Sequence, residues 1–198
     1  MPIKRDIYIS IDIEADGPHP GDFSMLSLGA AAFLLPSRVP VAQFEVNLER
    51  LPGAGQNKDT MEWWPKFPEA YAHSTRNPIP PEGAIAFLVD WVGDIRRAHN
   101  ADPVMVVYPS WDYMWVQWYL SKFHPNPKSP FGLGSLDVKT LAMASLRLDR
   151  FKEASKRRFP KRWEEGQPKH THKAVEDAIG QGVLFVNIIN EILAETPK

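Results

Sequence analysis

Two carboxylates lie two residues apart near the start of the chain, Asp12 and Glu14 in the segment SIDIEADG. Side chains at positions i and i+2 of a strand point to the same face of a sheet, so a strand here would hold these two acids side by side. Carboxylates that close repel each other and take up protons unless a cation compensates their charge. The pair therefore indicates a cation site, with two solvated acids on an open sheet face as the alternative.

The same segment matches the first half of a calcium-binding loop, because D-I-E-A-D-G fits the pattern D-x-[DN]-x-[DN]-G. Such a loop needs a bidentate Glu at its twelfth position. Counting from Asp12, that position is Phe23, and the flanking residues are typical of strands rather than helices. A calcium loop of this kind is excluded.

Further candidates lie at two helix starts. Asp112 follows a short apolar segment and opens a helix rich in tryptophan, although an acid in a first helical turn is stabilised by the helix dipole without any function. In HTHKAVEDAIGQG, His172 and Asp177 flank the start of the most periodic helix of the chain. Ala174 and Ala178 on its packing side would let that helix approach a sheet closely, which would bring Asp177 toward the strand acids.

The elements that must position these residues follow from the hydrophobic pattern. Residues 6–13, 24–35 and 41–48 predict three strands joined by short turns, which favours an antiparallel meander. After them, helices alternate with two further strands at 104–108 and 133–138, and this order indicates an α/β layer fold with a mixed sheet. Thr60 is the predicted cap of a helix broken by Pro65 and Pro68, and Pro80–Pro81 opens another.

Composition limits the class of protein. The 198 residues predict one domain over 1–198, and 43% hydrophobic residues indicate a globular chain. No run approaches the ~20 apolar residues that span a bilayer, and no cleavable leader is evident, so we expect a cytoplasmic protein with no membrane partner. With no cysteine, a metal site would consist of hard oxygen ligands, which favours Mg²⁺ or Mn²⁺ over zinc.

Taken in order, these motifs resemble the DEDDh superfamily of 3′–5′ exonucleases: Asp-x-Glu on a first strand, Asp at a mid-chain strand–helix junction, and His-x-Ala-x-x-Asp-Ala near the end. The segment TMEWWPKFPEA further resembles a small bacterial and phage branch of exoribonucleases. The resemblance implies a ribonuclease-H-like fold, with a five-stranded mixed sheet whose first three strands are antiparallel, flanked by helices. It also implies that four acids bind two Mg²⁺ or Mn²⁺ ions that bracket the scissile phosphate, namely Asp12, Glu14, Asp112 and Asp177.

A histidine near neutral pKa can take a proton from the attacking water, and the resemblance implies this role for His172. His170 is a rival base two residues earlier, but only His172 has the five-residue offset to Asp177. Two metal ions can activate that water and stabilise the leaving 3′-oxygen. The expected reaction is therefore release of nucleoside 5′-monophosphates from a 3′ end.

Residues 147–173 hold ten Lys or Arg against four acids, a local charge of +6, which leaves −7 elsewhere because the formal net charge is −1. This stretch, ending at Lys173, is a candidate phosphate-binding segment, with a solvated basic surface as the alternative. Trp63 and Trp64 point about 100° apart on a helix, so one of them is a candidate for stacking on the 3′-terminal base. The resemblance implies dimers among the relatives, and Met114, Val116 and Leu120 form a candidate homodimer face.

We therefore expect a metal-dependent 3′–5′ exonuclease acting on single-stranded 3′ ends, with RNA as the expected substrate and DNA as the alternative. Nothing in the sequence resembles a module that reads duplexes. A non-catalytic nucleic-acid-binding module on the same fold is the rival from another class. A phosphatase that uses the paired strand acids is a further rival, but it gives no role to His172 and Asp177.

Overall fold

A five-stranded mixed sheet organises the molecule in the computed structural model, which describes residues 5–126 and 128–195. The remaining residues of the predicted 1–198 domain lie outside the described part. The sheet order is β3-β2-β1-β4-β5; the first three strands are antiparallel, and β4 runs parallel to β1 and to β5. The expected ribonuclease-H-like arrangement is confirmed. The strands are β1 (Arg5–Ala15), β2 (Met25–Phe33), β3 (Ala42–Asn47), β4 (Ala101–Val107) and β5 (Leu136–Asp137).

Helices cover both faces of this sheet. The isoleucines of β1, such as Ile11 and Ile13, face one core, which α3 and α4 complete. The opposite face of the sheet packs on α5 and α6 through residues such as Phe33 and Val183. Strand alternation therefore places Asp12 and Glu14 on the α6 side. The helices are α1 (Lys58–Trp63), α2 (Pro68–Ser74), α3 (Pro81–His99), α4 (Trp111–Phe123), α5 (Val138–Ser145) and α6 (Ala174–Glu195).

Three details differ from the sequence prediction. The first helix starts at Lys58 and is capped by Asn57, whose side chain accepts a hydrogen bond from the Thr60 N–H at 3.0 Å, so Thr60 is not the cap. The fifth strand has two residues instead of the expected 133–138, because residues 131–133 form a turn in which Gly132 has a positive φ, and α5 begins at Val138. Helix α5 follows that strand at once and was not predicted.

The homodimer face proposed on α4 is wrong for two of its three residues. Val116 is fully buried and Leu120 is 3% exposed, because α4 packs both on the sheet and on α3. Only Met114 remains exposed. The apolar circumference of this helix is therefore explained by burial within the chain, and the dimer expectation loses the residues on which it rested.

Helix α6 lies unusually close to the sheet. By length and composition it could cross a membrane, but it packs on β1 and β2 and more than half of its apolar stretch is buried inside the protein. Ala174 and Ala178 are both fully buried at this contact. The prediction that small residues let the helix approach the sheet is confirmed.

Candidate active site

Strand β1 presents two acids to the α6 side of the sheet at its carboxyl end. Glu14 is 9% exposed, and Asp12 keeps some solvent contact although other acids surround it. Their neighbours Ile11 and Ile13 lie in the opposite core. The period-two prediction for this pair is therefore confirmed.

Asp112 joins the pair from the first turn of α4, which follows β4 after a short turn. Its Oδ1 accepts a hydrogen bond from the backbone N–H of Ile13 at 3.4 Å, and the side chain is 3% exposed. This contact connects α4 directly to the strand position between the two acids. Asp112 therefore has a structural partner at the site beyond the helix dipole.

Asp177 completes the group from the first turn of α6. Its carboxylate accepts backbone N–H donors from Thr171 at 3.0 Å and from His172 at 2.9 Å, and it pairs with His170 Nδ1 at 2.8 Å. Carboxylate oxygens of Asp12, Glu14 and Asp177 lie within 4.8 Å of one another. The structure thus brings together the four acids that the sequence singled out, from three separate elements.

The surroundings of these acids disfavour their charged forms. Burial raises the pKa of Asp12 well above its usual range, and the charges of Asp112, Glu14 and Asp177 raise it further. Burial and the neighbouring acids raise the pKa of Glu14 in the same way, and burial raises that of Asp112. Among the described residues, no Lys or Arg forms an ion pair with these three acids. Such an all-oxygen set fits a hard divalent cation.

His172 sits beside the acids in an aromatic enclosure. Its ring centroid lies 4.9 Å from Trp63, 4.1 Å from Phe67 and 4.1 Å from His170. Its φ of +58° belongs to the left-handed region, and this backbone turn directs the N–H to Asp177. Burial, followed by the charge of His170, lowers the pKa of His172 against the opposing charge of Asp177, which favours the neutral imidazole that a proton acceptor must be.

The rival base has a different position. The side chain of His170 is 56% exposed, and its Nδ1 is already engaged by the Asp177 carboxylate. His172 instead donates its backbone N–H to the same carboxylate at 2.9 Å, while a ring nitrogen of His172 lies within 4.8 Å of a carboxylate oxygen of Asp177. The geometry thus favours His172 over His170 as the proton acceptor.

The two adjacent tryptophans have different surroundings. Trp64 is 2% exposed and donates its indole N–H to the Ala15 carbonyl at 3.2 Å, so its ring packs within the protein. Trp63 is partly exposed and lines an open cavity of about 370 Å³ beside Glu14 and Trp111. Trp64 is therefore corrected to a packing residue, and Trp63 alone stays a candidate for stacking.

Much of the basic segment is paired with acids. Arg158 bonds Glu153 at 2.6 Å, Arg162 forms a two-pronged contact with Glu191, and Lys173 lies 3.1 Å from Glu176. Lys156 instead lies over the Tyr108 ring and borders a second, smaller cavity. That cavity, of about 110 Å³, also touches His170, Asp177 and Gln181. Lys156 therefore joins Lys173 as a cation near the site.

Sequence reasoning missed two residues that shape the site. Gln181 donates a hydrogen bond to Asp12 Oδ1 across 169 positions, although its spacing of one helical turn from Asp177 was visible in the sequence. Gly29 pairs with Asp12 in the β1–β2 register, and the backbone of Ala174 and Val175 occupies the space beside it. A glycine inside an apolar strand is the pattern that marks such a close approach.

Comparison with known proteins agrees with this geometry. No family model matches the sequence. The chain is 26% identical over 193 residues to a protein of Escherichia coli named 3′–5′ DNA exonuclease Cap18, and the match covers 93% of this chain and 92% of that protein. This similarity to a 3′–5′ exonuclease runs along nearly the whole chain and supports the resemblance to the DEDDh superfamily.

Solved structures share the fold of this chain. The nuclease domain of 3′hExo, a DEDDh family member bound to rAMP, gives a TM-score of 0.73 at 9% identity, covering 94% of this chain and 93% of that one. Pop2p of S. pombe in its Mg²⁺- and Mn²⁺-bound form gives 0.62 at 13% identity, with 96% and 86% covered. At these identities the likeness concerns the fold, and the site rests on the residues described above.

Proposed function

We propose that this protein is a metal-dependent exonuclease that removes nucleoside 5′-monophosphates one at a time from the 3′ end of a single strand. One observation carries the proposal: four buried or partly buried acids from β1, α4 and α6 converge beside His172. Similarity to the E. coli 3′–5′ exonuclease supports the same reaction class.

Asp12, Glu14, Asp112 and Asp177 would hold two divalent cations, Mg²⁺ or Mn²⁺. The raised pKa values of Asp12, Glu14 and Asp112 support this fit, because positive charge at the site would stabilise the ionised forms that burial disfavours and that neighbouring acids further disfavour in Asp12 and Glu14. When bound, such ions make water a stronger nucleophile and stabilise charge on the leaving oxygen. Backbone N–H groups hold Asp177 in place, so this ligand is oriented before a metal arrives.

His172 acts as the general base. The proton leaves the attacking water for a ring nitrogen of His172, and the new bond forms from that water oxygen to phosphorus. The bond from phosphorus to the 3′-oxygen breaks, and this oxygen takes a proton from solvent to become the new 3′-hydroxyl. Trp63 and Phe67 enclose the imidazole and limit its orientations. A base whose pKa lies below its usual value remains unprotonated at neutral pH, as this step requires.

The substrate is held by its terminal base and its phosphates. The cavity lined by Glu14, Trp63 and Trp111 opens beside the acids and offers an indole face on which a 3′-terminal base can stack. Lys156 borders the small cavity that Asp177 also lines, and Lys173 directly precedes α6, so both can attract backbone phosphates. A small footprint of this kind suits a single strand and needs no broadly basic surface.

RNA is our proposed substrate, because the TMEWWPKFPEA segment resembles the exoribonuclease branch. DNA is the second candidate, since the E. coli relative is named a DNA exonuclease. The two differ at the 2′-hydroxyl, which a protein distinguishes by hydrogen bonds to that group. The comparison of matched RNA and DNA strands therefore belongs in the first experiment.

The test uses 5′-labelled RNA and DNA 12-mers of one sequence, incubated with Mg²⁺, Mn²⁺ or EDTA. We expect a ladder that shortens by single nucleotides, faster for RNA, and no products in EDTA. Asp12→Asn should abolish the ladder, whereas Asp6→Asn, an exposed acid on the same strand, should leave it intact. Retained binding without a ladder would support the non-catalytic module, and release of terminal phosphate alone would support the phosphatase.

A further inference from the structure

Gln181 contacts the acid cluster from α6 without being one of its acids. It lies one helical turn after Asp177, is 5% exposed, and its Nε2 donates a hydrogen bond to Asp12 Oδ1. The bond joins the strand acid to the helix that carries Asp177. Gln181 thus forms a direct side-chain hydrogen bond between α6 and β1 at the site.

The other end of the same amide is unsatisfied. Gln181 Oε1 is buried and has no hydrogen-bond partner among the described residues. A buried acceptor left unpaired costs about 1–3 kcal/mol, a cost that an apolar side chain of similar length would avoid. The free energy of folding alone therefore does not explain why position 181 carries an amide. The hydrogen bond to Asp12 explains it better.

We propose that Gln181 is a positioning residue that fixes the Asp12 carboxylate for divalent cation binding; this inference rests on the proposed metal site. Donors to a metal-binding carboxylate hold its orientation, and their loss typically weakens metal affinity about 10–100-fold. Gln181 donates a hydrogen bond from α6 to Oδ1 of Asp12. The backbone N–H of Ile13, the next residue along β1, donates a hydrogen bond to Asp112. The alternative is that Gln181 only packs α6 on the sheet.

Gln181→Met removes the donor and keeps the length of the side chain. We expect Mn²⁺ affinity, measured by calorimetry without substrate, to fall about 10–100-fold, with the melting temperature in EDTA close to that of the wild type. At saturating Mn²⁺ the rate of nucleotide release should recover, because the defect lies in holding the ion. Gln167→Met is the matched control: this amide borders the same small cavity, but it donates to the Trp163 carbonyl at 3.3 Å, so Mn²⁺ affinity should not change.

Gln181→Asn provides a second variant, because it keeps the amide but withdraws it from Asp12, and it should show the same loss of affinity. Wild-type Mn²⁺ affinity in either folded variant overturns the proposal, as does an equal loss in Gln167→Met. Failure of the proposed exonuclease function can be distinguished from failure of the proposal for Gln181. A wild-type protein that binds Mn²⁺ but yields no ladder would end the exonuclease proposal, while the titrations would still decide the role of Gln181.

Discussion

Gly29 of β2 lies directly opposite Asp12 of β1, under the first peptide of α6. A Cβ atom at Gly29 would lie 2.1 Å from the Val175 nitrogen and 2.2 Å from the Ala174 carbonyl carbon. Both of these are backbone atoms at the helix start, so neither can rotate away. The missing side chain therefore sets how closely α6 approaches the sheet, and with it the separation of Asp177 from Asp12.

Gly29→Ala should displace the start of α6 and separate the acids. We expect the free energy of unfolding, from urea titration, to fall by about 1–3 kcal/mol or more, since overpacking of this kind forces the backbone to move. Mn²⁺ affinity should fall as well. Gly83→Ala is the control, because a Cβ there would meet only Ile79 Cδ1 at 3.8 Å, an ordinary contact. A Gly29→Ala protein with unchanged stability would contradict this account of the helix approach.

Local periodicity predicted one part of the site. Period two in β1 placed Asp12 and Glu14 on one face, whereas the choice of Asp112, His172 and Asp177 rested on the resemblance of their motifs to the DEDDh superfamily. The prediction for β1 depends on backbone geometry within a few residues, which the sequence specifies directly. The three antiparallel strands followed from alternation and short turns for the same reason.

Contacts between distant segments could not be predicted in this way. The hydrogen bond from Gln181 to Asp12 depends on where along β1 the helix α6 packs. The burial of Trp64 rather than Trp63 depends on how the α1–α2 segment packs against the rest of the protein. Helix α4 carries apolar residues on two of its sides because both sides are buried within the chain. Sequence periodicity cannot distinguish such a helix from one that contacts a second subunit. In each case tertiary packing decided the outcome.

The acid cluster predicts how stability depends on pH. Carboxyls in the unfolded chain titrate near pH ~4, whereas burial raises the pKa values of Asp12, Glu14 and Asp112 in the folded chain, and neighbouring acids raise those of Asp12 and Glu14 further. Between those values the folded chain binds more protons than the unfolded one, so the free energy of unfolding falls as pH rises. We expect the melting temperature in EDTA to fall from about pH 5 upward, and Mn²⁺ to restore more stability at pH 8 than at pH 5.

Glu14→Gln checks that prediction, since it removes one of the repelling charges. In EDTA at pH 8 this variant should melt at a higher temperature than the wild type, yet gain less from Mn²⁺. Asp6→Asn, exposed at the other end of β1, should follow the wild-type pH profile. Parallel pH profiles for wild type and Glu14→Gln in EDTA would show that the repulsion does not limit stability.

Substitutions of His172 and His170 should have different effects on the pH dependence of the rate. A general base must be unprotonated, so kcat/KM should rise with pH through the pKa of His172, which lies below the usual ~6.5 because of burial and the charge of His170. In His170→Ala that charge is absent, and the acid limb should move to higher pH. His172→Ala should lose about 10²–10⁴-fold in kcat with Mn²⁺ affinity retained. Loss of metal binding in His172→Ala would make this residue structural.

Trp63 and Trp64 should respond to substitution in opposite ways. Trp63→Leu removes the ring that faces the cavity, and we expect KM for a 3′-ended oligomer to rise by about 5–150-fold, the equivalent of ~1–3 kcal/mol of base stacking. Trp64→Leu removes the buried indole and its bond to Ala15, so the free energy of unfolding should fall by several kcal/mol, about 3–5 as for other large aromatic truncations. Steady-state kinetics on oligomers and urea unfolding of both variants check the pair. Because Trp63 also touches His172, a fall in kcat with unchanged KM in Trp63→Leu would identify its ring as a support for the base rather than a stacking surface.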